Sequence, residues 1–316
     1  MGAPRLNRNG FGKIDPVSRI PVVAVVGPTA AGKSDLAVAL ARAVAGEVVN
    51  ADSMQLYRGM YIGTAKLPPP ERKGVPHHLL DILDVTERAT VAEFQQLARS
   101  VIGDCRARGV PPIVVGGSAL YVRAVLDRFE FPGTDPRLRA GLESELATRG
   151  PAALHDRLGR VDPAAAAAIL PTNGRRIVRA LEVIELTGRS FTASLPAKDY
   201  AFDDVVQIGL DVPRAELEVR IAERVDRMWA AGFVDEVRRL ESLGLRKGRT
   251  ASRALGYAQV LRYLAGESED HAKAETIRST RRFARRQDSW FRKDDRIRWL
   301  PYNDPDLVPR AVALVR

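Results

Sequence analysis

The chain has 316 residues and a formal net charge of +10, carried far more by Arg than by Lys. That length allows one large domain or two unequal ones, and the charge favours a polyanionic partner, because an arginine fork suits phosphate oxygens and the faces of bases. Cys105 is the only cysteine, which excludes an internal disulfide and favours a reducing, cytoplasmic compartment; no stretch approaches the ~18–20 apolar residues of a membrane span, and residues 1–20 lack the apolar core of a secretory leader.

Residues 1–20 are expected to be a disordered tail. Residues 21–26 form a short β-branched run that predicts a strand. A Gly-rich turn follows, then a helix over 34–44 with Leu36, Ala39, Leu40 and Ala43 at helical spacing. Residues 47–49 and 112–115 read as further buried strands, with a helix over 91–108 before the latter, where Cys105 is expected to be buried. Strands alternating with helices predict a parallel α/β sheet. The texture then changes: residues 136–149, 151–158, 163–170 and 173–187 are all helical in pattern. One more strand is expected over 205–212, and from Pro213 onward the pattern is helical again. The expected organisation is a core over 21–127, a helical insertion over 128–198, and a core continuation with C-terminal basic helices over 199–316.

Gly27, Pro28, Thr29, Ala30, Ala31, Gly32, Lys33 and Ser34 match the phosphate-binding pattern G-x-x-x-x-G-K-[ST], and they sit between a predicted strand and a predicted helix. The fold class predicted is therefore α/β, a P-loop NTPase-like parallel-sheet core with an inserted all-helical domain. Glycines let the loop amides converge on phosphate oxygens; Lys33 balances the anion and Ser34 can ligate Mg²⁺. Such a loop recognises a run of phosphates, so ATP and a diphosphate leaving group fit equally well. Nucleotide switches place an acid at the end of another buried strand, but the strand at 113–115 runs into Gly116, Gly117 and Ser118. That tells against an ordinary ATPase.

The second strand runs straight into Asn50 and Asp52. In an open parallel sheet the carboxyl ends of neighbouring strands share a crevice, so Asp52 is expected to face the loop as a general base. The alternative is an Asp that caps the next turn. Further along, Arg278, Arg281, Arg282, Arg285 and Arg286 fall on one helical stripe with no acid between Thr276 and Gln287. A polyanion would balance it; a solvated charged face is the alternative. Arg175, Arg176 and Arg179 supply a second basic helix in the insertion. His77 and His78 have no partners at metal-ligand spacing in the sequence, which argues against zinc.

Gly27-Pro-Thr-Ala-Ala-Gly-Lys-Ser34, Asn50-Ala-Asp-Ser-Met-Gln55 with Tyr57, Gly63-Thr-Ala-Lys66, His77-His-Leu-Leu-Asp81 and Gly116-Gly-Ser-Ala-Leu-Tyr121 together closely resemble the tRNA dimethylallyltransferases. The resemblance continues through Arg175-Arg-Ile-Val-Arg-Ala-Leu-Glu182, Arg220-Ile-Ala-Glu-Arg224, Ala254-Leu-Gly-Tyr257 and Arg285-Arg-Gln-Asp-Ser-Trp-Phe-Arg292. Two departures stand out: Ser118 replaces the family's usual Thr, and Thr172-Asn173-Gly174 replaces its Asn-Asp pair. The resemblance implies transfer of a dimethylallyl group from dimethylallyl pyrophosphate to N6 of the adenosine just 3′ of the tRNA anticodon, with Mg²⁺. It implies Asp52, Lys33 and Arg224 as catalytic groups, and the loop with Arg220 as diphosphate ligands. Ser53, Met54, Gln55, Ser118, Arg175, Arg176, Arg179, Arg281 and Arg285 are then expected to join Asp52 in holding the anticodon stem-loop. The protein is expected to act as a monomer. A P-loop small-molecule or nucleotide kinase is the runner-up, and a non-catalytic RNA-binding ATPase the third reading.

Overall fold

The computed structural model describes residues 20–129, 131–191 and 198–316. The tail expected over 1–20 falls outside them apart from Ile20. The described residues divide into two compact units, one formed by those up to Leu126 with Tyr200–Arg316, the other by those within Asp127–Asp199.

In chain order the elements are β1 (Val22–Val26), α1 (Lys33–Val44), β2 (Glu47–Asn50), β3 (His77–His78), α2 (Val91–Ala107), β4 (Pro112–Gly116) and α3 (Ala119–Leu126). The second unit holds α4 (Pro136–Val161), α5 (Pro163–Ala168) and α6 (Gly174–Thr187). The first unit then resumes with β5 (Val205–Asp211), α7 (Arg214–Ala230), α8 (Phe233–Ser242), α9 (Tyr257–Tyr263), α10 (Glu269–Phe291), β6 (Ile297–Pro301) and α11 (Leu307–Val315).

All strand pairs are parallel, in the order β3-β2-β4-β1-β5-β6. β1 has four valines among five residues, all fully buried. Stiff β-branched side chains suit a pleated strand covered on both faces, and each such valine stabilises by about 1.5–3 kcal/mol when withdrawn from water. One face is covered by α1 and α11, whose Leu36, Leu40 and Ala311 join Val23, Val25 and Ile113. The other is covered by α2 and α3, whose Phe94, Ala98, Ile102 and Val122 join Val49 and Val114. A third apolar cluster gathers Tyr57 and Met60 against Phe233, Val237 and Leu240 of α8 and Tyr257 of α9.

Helix ends follow local chemistry. Thr90 caps α2, accepting the Glu93 N–H while its hydroxyl donates to the Glu93 carboxylate. In contrast, α1 begins after Gly32, which sits at φ 97 and offers no side-chain cap. Its first amides therefore stay available to an anion. In the second unit α4 breaks at Gly150 (φ 77) ahead of Pro151, the position where the sequence pattern divides residues 136–149 from 151–158. The unit closes on Leu142, Leu154, Leu158, Ile177 and Leu181. No helix among the described residues is long and apolar enough to cross a membrane.

Two strands carry little signal in the sequence. β3 is a two-residue edge strand. β6 lies in the stretch after Pro213 expected to be wholly helical, and it pairs along β5 from Gln207–Ile297 to Asp211–Pro301. It alternates an Arg with apolar residues and ends in Pro, so its signal is weak; the sheet edge supplies the missing drive.

Candidate functional site: a cleft at the carboxyl ends of three strands

The turns after β1, β2 and β4 meet at one end of the sheet, the crevice where open α/β folds bind ligands. They border a cleft of about 730 Å³, including space open to solvent, lined by Thr29, Lys33, Ser34, Asn50, Asp52, Gln55, Thr64, Gly116, Gly117, Arg224 and Gln287.

The loop from Gly27 to Ser34 is held by its own contacts. The Lys33 ammonium donates to the Pro28 carbonyl (2.7 Å). Gln287 of α10 accepts the Thr29 N–H (2.9 Å) and donates to the Gly117 carbonyl (2.8 Å), tying the β1 turn to the β4 turn. Arg220 lies against the loop from α7, donating to the Ala30 carbonyl (2.9 Å) over the Tyr302 ring (4.8 Å), and does not line the cleft.

Asp52 stands at the end of β2. Asn50 fixes the turn by accepting the Asp52 N–H (2.9 Å) and donating to the carbonyls of Asp52 and Leu79, each at 3.0 Å. One carboxylate oxygen of Asp52 accepts the Met54 N–H (2.9 Å); the other makes no hydrogen bond among the described residues. Asp52 therefore caps the turn and also lines the cleft. Ser53 and Met54 lie just beyond, and Met54 packs against the third cluster rather than into the cleft. Gln55 reaches the cleft and donates to the Thr64 carbonyl (3.1 Å). Ser118 is not among the lining residues; its carbonyl accepts the Val122 N–H at the start of α3 (3.0 Å).

The charges of the cleft suit an anion. Burial pulls the Lys33 ammonium down to about 8, the charge of Arg224 adds to this, and Asp52 opposes it. Arg224 is likewise lowered by burial, with Asp52 again opposing. Two cations thus share one carboxylate, at the open start of a helix.

The basic residues are more occupied than the sequence suggests. Arg278 and Arg282 ion-pair with Glu275 (2.8 and 3.0 Å), just before the acid-free stretch. Arg281 donates to the Glu218 carbonyl (3.1 Å), and Arg285 lies 3.6 Å from the Glu218 carboxylate. Part of the stripe is therefore balanced internally, by acids that lie outside the window read as acid-free. In the second unit Arg175 and Arg176 are exposed on the first turn of α6. Arg179 instead binds the buried Glu182 (2.8 Å) and the carbonyls of Pro132 and Gly133.

Away from the cleft, His78 does find partners, brought from distant parts of the chain. His78 Nε2 lies 2.7 Å from Glu47 Oε2, and the Cys105 thiol donates to the same oxygen at 3.4 Å. Arg108 already grips both Glu47 oxygens (2.8 and 2.6 Å), so the group is a saturated ion-pair network.

Asn50, Thr64 and Gln287 were given no role from the sequence. Each makes at least one backbone contact across the fold, Asn50 with Leu79 and Thr64 with Arg224, and Gln287 lies 258 positions from Thr29.

A family model described as IPP transferase matches residues 55–294. A tRNA dimethylallyltransferase of Thermobifida fusca is 67% identical over 300 residues, covering 93% of this chain and 94% of its own. One from Streptomyces avermitilis is 69% identical over 288 residues, covering 91% and 92%. Among solved structures, the full-length tRNA isopentenylpyrophosphate transferase of Bacillus halodurans aligns with a TM-score of 0.69 at 41% identity, over 94% of this chain and 95% of that one. A eukaryotic dimethylallyltransferase acting on tRNA aligns with a TM-score of 0.80 at 27% identity, over 93% and 78%. The Gly27–Ser34 loop and the Asp52 carboxylate border one cleft, and with relatives this similar along nearly the whole chain the assignment follows: the chain belongs to the tRNA dimethylallyltransferase family.

Proposed function

We propose that this protein transfers a dimethylallyl group from dimethylallyl pyrophosphate to N6 of the adenosine 3′-adjacent to the anticodon in tRNA, releasing pyrophosphate. The observation that carries the reading is the pairing, in one cleft, of an anion site built from Lys33, Arg224 and the open start of α1 with the single carboxylate of Asp52.

The diphosphate binds the amides of the Gly27–Ser34 loop, where the helix N-terminus and Lys33 oppose its charge. As the carbon–oxygen bond to the prenyl group breaks, negative charge grows on the departing pyrophosphate, and Lys33 and Arg224 stabilise it there. The adenine amine is a weak nucleophile because its lone pair is delocalised into the ring. Asp52 accepts its proton as the new bond forms, help typically worth roughly 10²–10⁴-fold. Gln55 at the cleft edge reads a base edge, and the target base leaves its stack to reach the cleft.

The cleft offers hard oxygen donors, the Ser34 hydroxyl foremost, which suit a Mg²⁺ that keeps several waters and otherwise binds phosphate oxygens. Ser34 would hold that ion, which when bound adds positive charge beside the diphosphate. Arg175 and Arg176 of the helical insertion, with Arg281 and Arg285 of α10, supply phosphate contacts to the anticodon stem-loop. The work is done in the cytoplasm, where tRNA is abundant.

The test is incubation of the protein with labelled dimethylallyl pyrophosphate or ATP, with and without tRNA. Label entering tRNA from the prenyl donor alone is the expected outcome. ATP turnover without incorporation would mean a kinase or an RNA-binding ATPase.

A further inference from the structure

Glu236 of α8 is 6% exposed and does not line the cleft. Its carboxylate accepts four hydrogen bonds. Oε2 takes the backbone N–H groups of Tyr61 (3.0 Å) and Ile62 (2.8 Å), and Oε1 takes the Gly63 N–H (3.2 Å) and the Tyr257 hydroxyl (2.6 Å). Burying a carboxylate costs several kcal/mol unless it is fully bonded. This one draws three backbone amides of a single loop onto one point.

The same loop is pinned from its other side by a buried cation. Lys66, 4% exposed, donates to the Tyr57 carbonyl and to Asp81, both at 2.7 Å, under the Tyr61 ring. Gly63 has no room for a side chain: a Cβ there would lie 2.2 Å from the Phe233 ring and 2.5 Å from that of Tyr257. Between the two anchors lies Thr64, whose hydroxyl donates to the Met60 carbonyl (2.6 Å). Its own carbonyl points to the cleft groups, accepting from Gln55 Nε2 (3.1 Å) and from the Arg224 guanidinium (3.4 Å).

We propose that Glu236 is a positioning residue for group transfer: by gathering the Tyr61, Ile62 and Gly63 amides it fixes the Thr64 carbonyl, which in turn aims Arg224 at the diphosphate and Gln55 at the cleft edge. The inference rests on the reading that Arg224 stabilises the departing pyrophosphate. A guanidinium released from the Thr64 carbonyl points less well at charge that appears only in the transition state. The loss therefore falls on the rate of the chemical step, with little change in KM for the prenyl donor. Displacement of a catalytic group by about an ångström costs up to ~10²-fold; Glu236→Gln keeps the volume but turns one acceptor oxygen into an NH2 that cannot accept from a loop amide, and ~10-fold is expected.

The experiment is a double-variant cycle on the single-turnover rate of prenyl transfer at saturating tRNA, using Glu236→Gln, Arg224→Ala and both together. The expected result is a ~10-fold loss for Glu236→Gln alone that shrinks to less than about 2-fold in the Arg224→Ala background. Losses that multiply, or no loss for Glu236→Gln, would overturn the proposal and leave Glu236 a purely architectural residue. An Arg224→Ala protein that transfers at the full rate would instead remove the role of Arg224, and this proposal with it. Should Glu236→Gln fail to fold, Tyr257→Phe takes its place in the cycle, because it deletes one donor to the carboxylate and keeps the ring. Its smaller loss, about 2–3-fold, must likewise vanish without Arg224.

Discussion

Asp52 carries two demands on one carboxylate, and they lie on different oxygens. One holds the Met54 N–H, and the other is left to the cleft. Replacing Asp52 by Asn keeps an oxygen for the turn and removes the ability to take a proton. Asp52→Asn is therefore expected to fold and to bind tRNA within about 2-fold of the parent while losing transfer by ~10² or more. Filter binding and single-turnover transfer measure the two quantities separately. Near-normal transfer would reject Asp52 as the base. The motif containing Asp52 was legible because it is contiguous and follows a strand whose end must point into the crevice. Glu236 was not: in sequence it is one acid on an amphipathic helix, and its amide partners lie more than 170 positions away.

At the scale of elements, Glu47 joins three pieces of the sheet layer. It is the first residue of β2, and it binds Arg108 just after α2, His78 at the end of β3 and Cys105 inside α2. The Arg108 guanidinium holds the Glu47 carboxyl at about 2, with burial opposing and His78 and Cys105 assisting. Burial and the neighbouring Glu47 push the Cys105 thiol up to about 11, so it stays a protonated donor. A carboxylate whose folded value is depressed contributes stability above its unfolded pKa of ~4.3, and that contribution is lost as pH falls toward the folded value. Arg108 is half exposed, so solvent screens the pair. Glu47→Gln should then cost roughly 1–2 kcal/mol at pH 7, and the gap from the parent should close between about pH 4.5 and pH 2. Urea unfolding at several pH values tests this; a gap that stays constant on acidification would mean the loss is one of packing. The same network shows what the sequence could and could not convey about the fold. β1, β2, β4 and β5 announce themselves as buried β-branched runs, and α1 and α2 by their apolar spacing. β3 and β6 are short edge strands that become strands because a neighbour offers hydrogen bonds, a cause that no local pattern contains.

Charge acts at the scale of the whole molecule. A formal net charge of +10 attracts any polyanion, but only arginines that meet phosphate release counterions and set the salt dependence of binding. Arg281 and Arg285 are the informative pair, because both already lean on Glu218 of α7. If RNA takes them from Glu218, each replacement by Ala removes roughly 0.7–0.9 from the slope of log K against log salt. The double variant Arg281→Ala/Arg285→Ala should therefore bind tRNA more weakly at low salt and flatten the slope by about 1.4–1.8. Its thermal midpoint should move little, since the Arg285–Glu218 ion pair is long and partly exposed and Arg281 makes only a backbone contact there. Fluorescence anisotropy over a salt series, beside a thermal melt, separates the outcomes. An unchanged slope with a lowered melting midpoint would mean that these arginines serve to hold α10 against α7, and that the excess charge meets tRNA elsewhere.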